Sequence, residues 1–302
     1  PMMGYTDCYF RSLIENIYGN RVLTFSEMIV DKAIIHNEIK TISKHFLEKN
    51  KSAIQIAGSD PQEIKRTINI LNRIDIIKHV NFNLGCPSSR VQENMLGLAL
   101  TQNYDLVKKC LFELINYKHE VSVKCRLGLG MNEDKNYIFS YLNLFKDIGI
   151  KKVFIHCRNG VLNLDTKKNR TIPQINYELF LECLKKFPEM ELIPNGEVND
   201  LETFNSFKSK NINKYMIGRQ FAKDALFLEK LKLEKINNKT SLVLDSIKEL
   251  DNHKYLNINL LKKSLFTLIN NISNSKGIKK DISLIDNTKD LLNYIERKII
   301  WT

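Results

Sequence analysis

The chain has 302 residues, 43% of them hydrophobic and 26% charged, with a formal net charge of +12; this can bury a large core, which excludes a disordered chain and points to one big domain, alone or with a small companion. No apolar run approaches the ~20 residues that span a bilayer, the six cysteines show no CxxC spacing and no signal peptide is legible, so the expected setting is a reducing cytoplasm, with no membrane, metal or disulfide role. The positive charge favours a polyanionic partner, nucleic acid before membrane, although many Lys, Asn and Ile residues would also follow from an AT-biased genome.

The chain begins at Pro1 without an initiator Met, and a first strand preceding it is expected. From there β-rich runs recur at intervals of roughly thirty residues. They are VLTFSEMIV from Val22, SAIQIAG from Ser52, HVNFNLG from His79, VSVKCRLG from Val121, KVFIHC from Lys152, ELIPNG from Glu191 and KYMIGR from Lys214. Segments with helical apolar spacing separate most of them, including PQEIKRTINILNRI from Pro61 and DLVKKCLFELI from Asp105. Alternating strand and helix predicts a parallel sheet. Seven visible strands and one before Pro1 make a (β/α)8 TIM barrel over residues 1–232, in an α/β chain; an open doubly wound sheet is disfavoured by the absence of a GxGxxG turn. After the Lys/Asn-rich EKINNKT linker the β-rich runs stop, and LVLDSIKELDNH, NINLLKKSLFTLINNI and TKDLLNYIERKII predict a small C-terminal helical domain over 240–302.

Barrels carry their functional groups where the strands end and the following loops begin. On that rule Gln55, Asn83 with Cys86, Lys124 with Arg126, His156 with Arg158, Asn195-Gly196 and Gly218-Arg219 all fall on one rim. The last two pairs suit the place where barrels commonly hold a phosphate. Singly, each has a plainer reading: Asn-Gly is most often a turn, a lone histidine is more often structural, and a free cysteine is usually a small buried hydrophobe. Cys8, Cys110, Cys125 and Cys183 are read that way. Agreement of so many strand ends on one rim points instead to a planar, phosphate-bearing cofactor across the barrel mouth.

Taken in order, PMMGYTD, QIAGSDP, NFNLGCP followed by SSRVQENMLGLAL, VKCRLG, FIHCRNG, IPNGE and MIGR resemble the signatures of the flavin-dependent tRNA-dihydrouridine synthases across nearly the whole chain. GCPSSRVQ and KKNRTIPQINYELF are most similar to the bacterial synthase A subfamily, whose implied target is uridine 20 and 20a in the D loop of tRNA. The resemblance implies FMN contacts at Pro1, Met2, Met3, Gln55, Lys124, His156, Asn195, Gly196, Glu197, Gly218 and Arg219. It implies Cys86 as the catalytic residue and Asn83 on the uridine side. Lys167, Arg170, Lys276 and Lys279 would contact tRNA. Pro194, Glu197 and Cys157 depart from the usual motif residues, and the backbone N–H of Glu197, rather than its carboxylate, is expected to matter near a phosphate.

The chemistry this implies is NADPH-driven reduction of uridine, with a hydride from flavin to C6 and a proton from Cys86 to C5. A thiol, with an ordinary pKa near 8.5, is mostly protonated at neutral pH and can act as that acid. Asn83 or Arg158 could stabilise charge in the C4 carbonyl system, Lys124 could sit by the flavin N1–O2 edge, and His156 could orient either flavin or base. The uridine must leave its stack, with phosphate contacts holding the RNA. A monomer is expected. Two alternatives remain: a flavin oxidoreductase for a small molecule, and a non-catalytic tRNA-binding folding helper. The polar SSRVQ run is expected to be a mobile loop.

Overall fold

The structure, a computed structural model, describes residues 1–47, 51–270 and 272–301. Asn271, at the end of one expected helical stretch, lies outside the described residues. The chain divides into two compact units: Pro1–Glu27, Ile39–Ser52 and Gly218–Thr302 form the first, and Met28–Glu38 with Ala53–Ile217 the second.

The second unit carries the sheet from Met28 onwards. Strands β1 (Phe25–Val30), β2 (Ala53–Ala57), β3 (His79–Leu84), β4 (Glu120–Arg126), β5 (Lys152–His156) and β6 (Glu191–Asn195) lie in sequence order. Pairing from β2 through β6 is parallel throughout. With alternating helices, this is the expected α/β, TIM-barrel-like architecture. Every residue of β2 and β3 is buried, as the near-continuous apolar runs of a parallel sheet covered on both faces require. The polar exceptions share one face: His79, Asn81 and Asn83 alternate with Val80, Phe82 and Leu84, because successive strand side chains point to opposite sides.

Local chemistry sets the helix ends. Asp60 caps the helix Pro61–Leu71 by accepting from Gln62 N at 2.7 Å, with Pro61 in the first turn. Asn103, Asp134, Asn176 and Asp200 cap later helices in the same way. The helix Lys135–Ile148 stops at Gly149, which is left-handed.

Two expectations change. KYMIGR forms no strand; Met216 makes a single bridge to Asn195, with its N–H donating to the Pro194 carbonyl at 2.8 Å. Three residues further on the chain turns into the helix Arg219–Lys223, too soon for a longer ladder. SSRVQ is not an open loop either, since Ser89–Glu93 forms a short helix.

The first unit is helical. Leu13, Ile14 and Ile17 of the helix Cys8–Tyr18 share a core with Val243, Ile247, Leu250, Leu261, Leu265, Ile282, Leu291 and Ile295 of the C-terminal helices. That grouping does not follow the chain position at which the β-rich runs stop. Arg11, 1% exposed, ties it together: Nε donates to Ser52 Oγ at 2.8 Å, Nη1 to the Thr6 carbonyl at 2.6 Å, and Nη2 to the His45 carbonyl.

Candidate active site

Register brings the polar strand residues of the second unit side by side. Gln55 is level with Asn81, Asn83 with Lys124, Arg126 with His156, and His156 with Asn195. Cys86 follows β3 by one glycine. Of the six cysteines it alone is half-exposed; Cys8, Cys110, Cys125, Cys157 and Cys183 are buried. Burial also pushes the Cys125 thiol up to about 12 and the Cys157 thiol higher, so both stay protonated and unreactive.

The Cys86 loop is held on several sides. Asn83 Oδ1 accepts from the Gly85 and Cys86 N–H groups at 3.1 and 3.0 Å. The Cys86 carbonyl accepts from Leu98 N at 3.0 Å, and the Pro87 carbonyl from Gln92 Nε2 at 2.6 Å. Arg126 Nε donates to the Gly85 carbonyl at 2.9 Å, while its Nη1 reaches the carbonyls of Asn159 at 2.9 Å and Asn169 at 3.3 Å. Gly97, with φ +58°, lets the returning chain pass close by; a Cβ there would stand 2.9 Å from the Cys86 carbonyl oxygen. The thiol itself lies 3.5 Å from Ser88 Oγ.

Lys124 is level with Asn83 on the neighbouring strand. Burial first, and then the positive charge of Arg126, hold its ammonium down to about 8. After burial, the largest electrostatic influences on it are Arg126 and the thiols of Cys125, Cys86 and Cys157. Arg126 is lowered to about 10, again by burial first. Two cations, neither of them ion-paired with a carboxylate among the described residues, suit an arriving anion.

At the far side of the sheet Asn195 Nδ2 donates to the Met216 carbonyl at 2.8 Å. Gly196 has φ +115°, and a Cβ there would come within 2.7 Å of His156 Cδ2 and of Ile175 Cδ1. Glycine is therefore needed twice over, for the backbone and for the histidine beside it. Glu197 is also left-handed, at φ 50°. Its carboxylate pairs with Arg158 Nη2, and Arg158 Nη1 donates to the carbonyls of Thr171 and Pro173. Arg158 is 1% exposed. It braces this loop with its guanidinium, and the Glu197 carboxylate is engaged away from the Asn195-Gly196 backbone.

Lys167 and Arg170 are exposed around the turn Lys168–Arg170, where Asp165 accepts from Lys167 N at 2.7 Å. In the first unit, Gly218 and Met2 are neighbours, a Cβ on Gly218 falling 3.4 Å from Met2 Sδ. Pro1 is half-buried, while Met3 and Arg219 are exposed. Lys276 and Lys279 lie one turn apart on the helix Ser275–Ser283, with Lys279 bonded to Asn270 Oδ1 and 5.9 Å from the centre of the Phe266 ring.

Several features of the second unit escaped the sequence reading. Gln92 fastens the Cys86 loop together with Arg126, whose place on the rim was legible but whose grip was not, and Asn81 and Ser122 are polar groups inside the sheet. The signal for the last two was present as polar residues at alternate positions of otherwise apolar runs. Among the described residues no group of three His, Cys, Asp or Glu could hold a metal, and no helix is long and apolar enough to cross a membrane.

A family profile described as "Dihydrouridine synthase (Dus)" matches residues 1–295. A tRNA-dihydrouridine(20/20a) synthase of Pseudomonas putida is 28% identical over 204 residues, covering 67% of this chain and 60% of that protein. The protein of the same name from Synechocystis sp. is 29% identical over 221 residues, covering 72% and 65%. That of Escherichia coli O6:H1 is 29% identical over 223 residues, covering 73% and 66%. The chain thus spans between 60% and 66% of the length of these curated relatives.

Proposed function

The chain belongs to the dihydrouridine synthase family, and from that premise we propose that it reduces uridine to 5,6-dihydrouridine at positions 20 and 20a in the D loop of tRNA, using FMN and NADPH. The observation that carries the reading is the half-exposed Cys86, the one cysteine not buried, in a loop fixed by Asn83 and Arg126.

The residues present fit an anionic planar cofactor. Lys124 supplies positive charge at neutral pH, Gly196 brings bare backbone up against His156, and the Glu197 carboxylate is paired with Arg158. Within the second unit Gln55, Lys124, His156, Asn195, Gly196 and the Glu197 N–H would hold FMN. When bound and reduced by NADPH, FMN supplies the hydride for C6 of uracil.

The chain's own groups do the rest. Cys86 Sγ donates the proton that C5 gains. Asn83 donates to a base carbonyl as negative charge develops there. Arg158 acts on the substrate side by bracing the Thr171–Pro173 segment. Lys167, Arg170, Lys276 and Lys279 hold tRNA phosphates while the uridine is everted. Residues 1–232 are proposed as the catalytic barrel and 240–302 as the tRNA-binding domain, working as a monomer in the cytoplasm.

The test is incubation of the purified protein with unmodified tRNA, FMN and NADPH, followed by nucleoside mass spectrometry. Dihydrouridine at 20 and 20a is expected, falling about 10²–10⁴-fold in Cys86→Ala, the range for loss of a general acid. Equal product from both proteins would remove Cys86 from the chemistry. NADPH oxidation with a small-molecule acceptor, without dihydrouridine in tRNA, would favour the small-molecule oxidoreductase.

A further inference from the structure

Inside the second unit a row of side chains crosses three strands with its hydrogen bonds all pointing one way. The Gly85 and Cys86 N–H groups donate to Asn83 Oδ1, and Asn83 Nδ2 donates to Gln55 Oε1 at 2.8 Å. Gln55 Nε2 donates to Asn81 Oδ1 at 2.6 Å, and Asn81 Nδ2 to Ser122 Oγ at 2.8 Å. Ser122 Oγ lies 2.6 Å from His79 Nε2, whose other nitrogen, Nδ1, faces Glu120 Oε2 at 3.3 Å, the longest contact of the row. All but Cys86, Gly85 and the Glu120 end are buried.

The loop end dictates the direction. The backbone N–H groups of Gly85 and Cys86 can only donate, which makes Asn83 Oδ1 the acceptor and Nδ2 the donor, while at the far end a carboxylate faces the ring. Burial, against the weaker pull of Glu120, lowers His79 to about 4, so the ring is neutral and carries one N–H. Continued through Ser122, whose Oγ already accepts from Asn81, the row has the hydroxyl donating to Nε2, which leaves the ring proton on Nδ1 on the side of the carboxylate. Every donor from the Cys86 loop to the Ser122 hydroxyl then meets an acceptor, and the contact of His79 Nδ1 with Glu120 is electrostatic, without a hydrogen bond. Turning the Asn83 amide over would set Nδ2 against two N–H groups and Oδ1 against Gln55 Oε1. Correcting that would require Gln55 and Asn81 to turn as well.

We propose that Gln55, Asn81, Ser122 and His79 are positioning residues that lock the Asn83 amide and the Cys86 loop in one orientation, so that Asn83 presents a donor, never an acceptor, to the substrate. Both lone pairs of Asn83 Oδ1 are taken by the loop, and one Nδ2 hydrogen by Gln55. The second Nδ2 hydrogen is the group left for a ligand, which must bring an acceptor such as a uracil carbonyl rather than its N3–H. This rests on Asn83 and Cys86 being the substrate-side residues of the proposed function. The orientation itself does not depend on that function.

Two measurements on the full chain test it without cofactor or RNA. Imidazole ¹⁵N–¹H correlation at neutral pH is expected to show His79 protonated on Nδ1 and bare at Nε2; an Nε2–H tautomer or a charged ring overturns the proposal. Iodoacetamide labelling reads the loop, because Cys86 is the accessible thiol. Ser122→Ala is expected to speed Cys86 alkylation several-fold and Ser122→Thr to return it towards wild type. A folded Ser122→Ala protein with the wild-type rate overturns the positioning role. If Ser122→Ala does not fold, the wild-type tautomer decides. A protein that passes both tests yet forms no dihydrouridine refutes the proposed function and leaves the relay standing.

Discussion

Replacing Asp31 with asparagine should remove a pH-dependent weakness from the second unit. Asp31 opens the helix Asp31–His36 and is 2% exposed. Its Oδ1 accepts from Lys32 N at 2.7 Å, but Oδ2 has no hydrogen-bond partner among the described residues. Oδ2 is pressed against Gly58, where any Cβ would collide with it. Burial is the first cause that raises this carboxyl from 3.8 to about 6, and Glu63 and Asp60 push the same way. The folded protein therefore holds a proton that the unfolded chain has lost between about pH 4 and 6, and stability falls as pH rises through that window. At about 1.36 kcal/mol per tenfold change in proton affinity, the loss is about 3 kcal/mol above pH 6. The substituted amide cannot ionise, but its N–H groups need acceptors, which returns about 1–3 kcal/mol. The expected result is an Asp31→Asn protein whose stability relative to wild type improves steadily from about pH 4 to 6 and then levels off. Urea denaturation followed by circular dichroism measures the difference, and the Asp31 carboxyl-carbon shift locates the titration. A stability difference independent of pH across this window would refute the reasoning.

Gly196→Ala should destabilise the protein by about 1–3 kcal/mol through backbone strain at φ +115°, and should weaken FMN binding, read by flavin fluorescence, because its Cβ displaces His156. Lys124, held down to about 8 by burial and Arg126, should lose its charge above that pH; FMN affinity is expected to fall between about pH 7 and 9 in wild type and to stay flat in Lys124→Met. The sign for stability is opposite: the unfolded chain keeps this proton to higher pH, so the contribution of Lys124 to stability rises between about 8 and 10.5. Binding of tRNA should weaken steeply with salt, and Lys276→Ala should reduce the slope of log affinity against log salt by about 1.

Much of the site was legible because strand ends advertise themselves. Asn83, Cys86, Lys124, His156 and Asn195 each sit where an apolar run breaks at its C-terminal end, and parallel registration then sets those ends level. Arg158 was found on the rim, but its bonds to Glu197 and to the carbonyls of Thr171 and Pro173 have no local signature. Arg126 was placed correctly at the end of its strand, yet its grip on Gly85 across 41 positions has no local signature. KYMIGR reads as a strand by composition, but pairing is decided by the neighbour's free edge and by the helix that follows.

By itself the sequence determined most of the alternation of strand and helix, which residues close β3 to β6, and where the half-exposed thiol stands, since these depend on periodicity and on the short-range chemistry of Gly, Pro and capping residues. Only the tertiary structure decided what His79, Asn81 and Ser122 are for. Their partners lie 26 to 43 positions away on adjacent strands, and a direction of hydrogen bonding exists only once every donor in the row has met its acceptor. The same holds for the helix Cys8–Tyr18, whose apolar face is visible in the chain while its core partners, more than two hundred residues later, are chosen by packing.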